Sequence, residues 1–202
     1  MTSSELKNAI RVGKVKVNPN PPDPNSKKKK KSAKPPYYAY PTSLMLEYDA
    51  NFPKIKTKRY AIVYFILVND VVYKIGQTSN STGISGCVAG YMNAGMDDAG
   101  PNRFTINYLM RDELKKGNKI EFYMLYEKPI KVEITTMLGV KKMVESPVDA
   151  KNMEVECIKE YRSLHNNKLP IWNYQESSKT TPQQIAEAYG NYKSQRAKAK
   201  AP

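Results

Sequence analysis

From Tyr60 onward the chain alternates between runs that suit strands and runs that suit helices. Tyr60 to Val68 is β-branched and aromatic almost throughout. Asn69-Asp70 is a turn dipeptide and Val71 to Gly76 a second apolar run, so a β-hairpin is predicted. The next stretch, SNSTGISGCVAGYMNAGMDDAGPN, is small and glycine-rich, with room for a short helix around Ile84–Met92. In FTINYLMRDELKKG, Phe104, Tyr108, Leu109 and Leu114 recur at helical spacing. Lysines fill the last turn there, and Gly117 stands where a C-cap glycine belongs. NKIEFYMLY predicts a third strand, and PIKVEITTMLGVKKMVES a hairpin turning near Gly139. Helical spacing returns in VDAKNMEVECIKEYRSLHNN, where Met153, Cys157 and Tyr161 supply packing. Pro170 and Trp172 then read as core, and TPQQIAEAYGNYKSQRAKAKAP as an amphipathic helix with a basic end. This order predicts an α+β domain: a small antiparallel or mixed sheet flanked by helices.

Residues 18 to 41, NPNPPDPNSKKKKKSAKPPYYAYP, show neither period. Prolines remove donors, the lysine run repels itself, and little can be buried, so a solvated arm is expected. The expected organisation is a basic, Pro/Lys-rich N-terminal arm over 1–59, a folded domain over 60–176, and a basic C-terminal helix and tail over 177–202.

Composition narrows the partner. The 202 residues suffice for one core with extensions, and lysine plus arginine exceed aspartate plus glutamate by 14. Such an excess calls for a polyanion, nucleic acid before an anionic membrane surface, and no apolar run is long enough to span a bilayer. The N-terminus lacks the continuous apolar core of a signal peptide. Cys87 and Cys157 are isolated and His165 is the single histidine, which argues against structural zinc and for reduced thiols in the cytoplasm or nucleus. Lys27, Lys28, Lys29, Lys30 and Lys31 suit phosphates or another acidic surface. They equally suit a solubilising tail or a nuclear-import signal.

The tyrosine of VYF, the KIG ten residues later, a carboxylate on a late helix and a following asparagine resemble the GIY-YIG nuclease superfamily. The order GNKIEFYML, Gly139 hairpin, NMEVECIKEY and PIWN looks like its phage endonuclease II branch and its small restriction enzymes, over roughly residues 60–176. The resemblance implies a DNA endonuclease dependent on a divalent metal, magnesium or manganese. It also implies a tyrosine that activates water, a glutamate that holds the metal and an arginine on the phosphate. On this pattern Tyr64 is the first tyrosine. Lys74 occupies the second motif position, since Tyr64 to Lys74 keeps the ten-residue interval and strand alternation turns Tyr73 to the other face. A cation at Lys74 would lower the pKa of Tyr64 or of a bound water. Glu154, four residues before Ile158 on one helical face, is the candidate catalytic and metal carboxylate, with Glu156 turned to solvent. Asn173 matches the terminal asparagine that fixes the site's geometry. Gln77 and Thr78 offer hydrogen bonds to a phosphate, and His165 is an outlying candidate.

The expected arginine is missing. It is expected near Ile84–Cys87, yet no lysine or arginine occurs from Ile75 through Asn102. Either Arg103 or Arg111 reaches the phosphate from the next helix, or the domain has kept the fold and lost catalysis. The expected function is therefore a metal-dependent DNA endonuclease. The alternative is a degenerate module that binds nucleic acid or builds an assembly such as a virion through its N-terminal arm. A double-strand cut at a palindrome would call for a homodimer.

Overall fold

The computed structural model describes residues 1–19, 44–50, 52, 57–58, 60–79, 81–94, 99–174 and 181–198. The lysine run Lys27–Lys31 lies outside the described residues. The elements in chain order are β1 (Ile10–Val17), β2 (Leu44–Tyr48), β3 (Ala61–Val68), β4 (Val71–Thr78), α1 (Gly83–Met92) and α2 (Pro101–Lys115). They continue with β5 (Ile120–Glu127), β6 (Ile130–Thr135), β7 (Lys141–Ser146), α3 (Ala150–Leu164) and α4 (Gln183–Lys198).

Five strands form one antiparallel sheet in the order β2-β1-β5-β3-β4, and β6 and β7 form a separate hairpin. This is the α+β architecture that the periodicity predicts. β3 is buried along all eight residues because both its faces are covered, which is why AIVYFILV shows no polar alternation. Tyr64, Ile66 and Val68 face α1 and α2, whereas Val63, Phe65 and Leu67 face α3. The two-residue turn to β4 places Asn69 and Asp70 at φ 47° and 67°, the left-handed pair that such a tight hairpin demands. α4 packs on α2 through Tyr189 and Tyr192, whose ring centroids lie 5.2 and 5.1 Å from that of Phe104.

The folded part does not begin at Tyr60. β1 and β2 pair with each other, β1 also pairs with β5, and Val12, Val15 and Leu44 are buried in the same core as Tyr64. IRVGKVKV reads as basic, yet Val12 and Val15 are buried, and only its end, Lys16 and Val17, is exposed. Arg11 locks this addition in place. It pairs with Asp49 at 2.5 Å and with the buried Glu121 of β5 at 2.7 Å, and Lys119 reaches the same carboxylate at 2.8 Å. A carboxylate so enclosed is tolerated because both its partners are cations.

The reading of Tyr73 and Lys74 on opposite faces also changes. Ile66 pairs with Lys74 but Leu67 with Val72, so Tyr73 is the extra residue of a β-bulge. Alternation fails there. Tyr73 packs against the core on the α1–α2 side, edge-on to Trp172 at 5.2 Å, and Lys74 opens on that same side.

Leu44→Ala separates a sheet strand from a solvated arm. As part of the core it should cost about 2–4 kcal/mol of unfolding free energy in urea, whereas an arm residue would leave the transition unchanged.

Candidate active site

The site begins with a cross-strand pair. Tyr64 of β3 stands opposite Gly76 of β4, and its ring lies directly over the glycine. A Cβ at position 76 would sit 2.3 Å from the Tyr64 hydroxyl and 2.4 Å from the ring carbon that bears it. Glycine is therefore needed here for room, and the ring's position is set by contact.

Helix α1 meets that hydroxyl. Tyr91 Oη lies 2.5 Å from Tyr64 Oη, with the rings edge to face at 5.9 Å. Cys87, one turn earlier on the same helical face, lines the cavity beside them. The end of α1 is tied to α2 by the buried amide of Asn107, which donates to the carbonyls of Tyr91 (2.7 Å) and Met92 (3.2 Å).

Arg103 enters from the first turn of α2. Its guanidinium packs on Gly90 of α1, where an added Cβ would lie 3.2 Å from it. The expected α1 position is thus filled by Cys87, and the positive charge arrives from the neighbouring helix. Arg111, two turns further along α2, does not line the cavity.

Lys74 is 5% exposed, and its Nζ donates to the carbonyl of Ile75 at 3.3 Å. The buried Asn173 clamps that same residue. Its Oδ1 accepts from Ile75 N and its Nδ2 donates to Ile75 O, both at 2.9 Å. Asn173 does not line the cavity; it fixes the strand segment that presents Lys74 and Gly76 on either side of Ile75.

Glu154 comes from the opposite face of the sheet, on the first turns of α3. Asp149 starts that helix by accepting from Lys151 N at 2.8 Å and Asn152 N at 3.4 Å. β4 is the edge strand, so α3 reaches the cavity past its margin, at Gln77 and Thr78. Glu154 is 5% exposed and takes a salt bridge from Lys151 at 2.8 Å, while Glu156 is exposed and pairs with Lys159.

Together Tyr64, Lys74, Gln77, Thr78, Cys87, Tyr91, Arg103, Lys151 and Glu154 line one cavity of about 490 Å³. Tyr91, Cys87 and Lys151 were not picked out from the sequence. The spacing of Cys87 and Tyr91, four residues apart where an arginine was expected, was the available signal. His165 lies elsewhere, stacked on Tyr161 at 4.0 Å, with Nδ1 on the Tyr161 carbonyl and Nε2 2.6 Å from the Met1 nitrogen.

Electrostatically the cavity favours anions: Lys74, Arg103 and Lys151 stand against one carboxylate. The phenols behave otherwise than Lys74 alone would suggest. Burial, with Tyr91 and Cys87 as neighbours, raises the Tyr64 pKa well above the usual 10.0. Tyr91 is raised as well, chiefly by burial. Burial pushes the Cys87 thiol up to about 12, against the opposing pull of Tyr64, Arg103 and Lys74. At neutral pH all three are protonated.

Among the described residues no group of three or more His, Cys, Asp or Glu gathers to hold a metal. A magnesium-like ion needs less: one or two carboxylates, with water and phosphate oxygens completing its shell. Glu154 on the wall of an open cavity fits that requirement.

No protein-family model matches the chain, and no curated protein matches it. Among solved structures the fold is similar to a mutant of bacteriophage T4 EndoII, at 20% identity over 86% of this chain and 98% of that one, TM-score 0.43. It is also similar to restriction endonuclease Hpy188I in complex with product DNA, at 17% identity over 89% and 87%, TM-score 0.43. No helix among the described residues is long and apolar enough to cross a membrane.

Two measurements follow from this geometry. Gly76→Ala should cost about 1–3 kcal/mol in wild type and nothing comparable in a Tyr64→Ala background, as a double-mutant cycle in urea would record. In an alkaline titration, stability should hold below the ordinary tyrosine pKa of 10.0 and fall above it. There the unfolded chain releases protons that folded Tyr64 and Tyr91 keep. Tyrosinate absorbance should report these two phenols only as the protein unfolds.

Proposed function

We propose that the chain is a divalent-metal-dependent DNA endonuclease of the GIY-YIG type. The observation that carries this reading is the convergence of Tyr64, Lys74, Arg103 and Glu154, from four separate elements, on one positively charged cavity. Phosphodiester hydrolysis needs a positioned water, cations on the developing charge and a place to anchor a metal. These side chains supply each.

Arg103 binds a non-bridging phosphate oxygen, held in place by its contact with Gly90. Gln77 and Thr78 donate to the same phosphate from the margin of β4. Tyr64 works as a neutral phenol: it hydrogen-bonds the attacking water while Tyr91 fixes its hydroxyl. Lys74 favours the hydroxide form of that water. The water oxygen forms the new bond to phosphorus, its proton leaves to solvent, the P–O bond to the departing sugar breaks, and the sugar oxygen takes a proton from solvent. Glu154 would hold a magnesium or manganese ion, which would supply charge neutralisation at the phosphate. Asn173 positions rather than reacts, through Ile75. Lys151, salt-bridged to Glu154 on the cavity wall, adds a third cation for the phosphate.

That same Lys151–Glu154 salt bridge favours the second reading, a module that binds DNA without cutting it. Supercoiled plasmid with magnesium or manganese at low salt decides between them. The endonuclease nicks it, and Glu154→Ala abolishes nicking. Arg103→Ala lowers the rate about 10²–10³-fold and Arg111→Ala leaves it nearly unchanged. Salt-sensitive binding without nicking by the wild-type chain would establish the non-cutting module.

A further inference from the structure

The hairpin β6–β7 stands apart from the five-stranded sheet that carries the site. Its two strands pair with each other, and neither packs extensively on any other described element. A lone two-stranded hairpin is marginal in water, so one kept well formed and apolar has a use outside its own fold. Register puts Ile130, Val132 and Ile134 on one face with Lys142, Val144 and Ser146. That face carries no carboxylate. Glu133 and Glu145 lie on the other, opposite Met143 and Lys131. The tip is apolar and fully presented, with Met137 97% and Leu138 82% exposed. It is nonetheless ordered, because Thr136 N donates to Val140 O and Gly139 N to Thr136 O, both at 2.9 Å.

The hairpin's place matters as much as its surface. β7 runs straight through Pro147 and Val148 into Asp149, the cap of the helix that carries Glu154. Pro147 and Val148 line a hollow of about 350 Å³ that shares Gln77 and Lys151 with the candidate active site. The arm therefore rises from the rim of the cavity. Its six-residue strands carry the tip roughly 20 Å from its base, a span of about six base pairs.

We propose that β6–β7 is an arm that grips duplex DNA beside the scissile phosphate. Met137 and Leu138 enter a groove as an apolar wedge, with Lys142 on the adjoining phosphates. Two-stranded ribbons fit DNA grooves, and methionine and leucine are among the side chains that wedge between base steps. A carboxylate-free face bearing a lysine, on a chain of net charge +14, matches a polyanion better than it matches a second equally basic copy. The proposal rests on the nuclease reading for its substrate but not for its test.

The test is fluorescence anisotropy of the full chain in EDTA, which prevents cleavage, with a labelled duplex and its single strand. A 2-aminopurine in the duplex reports unstacking. Wild type should prefer the duplex and enhance the 2-aminopurine signal. Met137→Ser/Leu138→Ser should weaken duplex binding roughly tenfold and remove the enhancement, without lowering the melting temperature, since both side chains are exposed. Lys142→Ala should reduce the salt slope by about one. Unchanged duplex affinity in the tip variant overturns the proposal, as does failure of wild type to bind duplex. So does a dimer, seen in sedimentation, that the tip variant splits at unchanged affinity for DNA, because the face would then belong to a second copy. Tip-dependent binding without plasmid nicking leaves the arm standing and sinks the nuclease. Nicking with tip-independent binding does the reverse.

Discussion

The ring of Tyr64 lying on Gly76 is the contact from which the rest of the site is measured. It fixes how β3 and β4 face each other at the sheet's edge, and it puts a phenol where side chains from α1, α2 and α3 converge. A larger residue at 76 would lift the ring off the strand and break the 2.5 Å contact with Tyr91. One residue away, Asn173 holds both backbone polar atoms of Ile75. An edge strand ordinarily offers unpaired amides to solvent. Here the Asn173 side chain takes those of Ile75, between the residues that present Lys74 and Gly76 to the cavity.

Around this hairpin the chain combines a low-dielectric interior with charges at the rim. Burial keeps Tyr64, Tyr91 and Cys87 protonated, so among the described residues the cavity's charge comes from Lys74, Arg103, Lys151 and Glu154. Three cations facing one carboxylate among the described residues give the cavity a field that favours anions. The route by which Arg103 arrives illustrates how side-chain reach substitutes for sequence position. A guanidinium from α2 crosses Gly90 and stands beside α1, the helix on which an arginine was expected.

Much of the fold was legible because its signals are local. The Asn69-Asp70 turn, the Gly139 turn and the periodicity of α2 and α3 each depend on residues within a few positions of one another. The candidates Tyr64, Lys74, Gln77, Thr78, Arg103 and Glu154 fall on the cavity, whereas Arg111 and His165 fall away from it and Asn173 acts from behind the strand. Two strands escaped notice. β1 alternates valine with lysine and reads as a basic tail, and β2 follows a proline–lysine stretch, so neither shows its partner locally. Their burial comes from pairing with each other and with β5, more than a hundred residues away from β1.

The sequence by itself determined the element types, the tight hairpin, the positive charge and most of the polar side chains that line the cavity, because propensity, turn chemistry and charge are properties of short segments. Tertiary structure alone decided three things. The bulge at Tyr73 set which face Lys74 takes, the crossing of Gly90 decided which arginine reaches the site, and the docking of α3 at the β4 edge brought Glu154 round to Tyr64. Each depends on contacts between residues far apart in the chain, where one extra residue in a strand or one missing Cβ moves a charged group into a cavity or out of it.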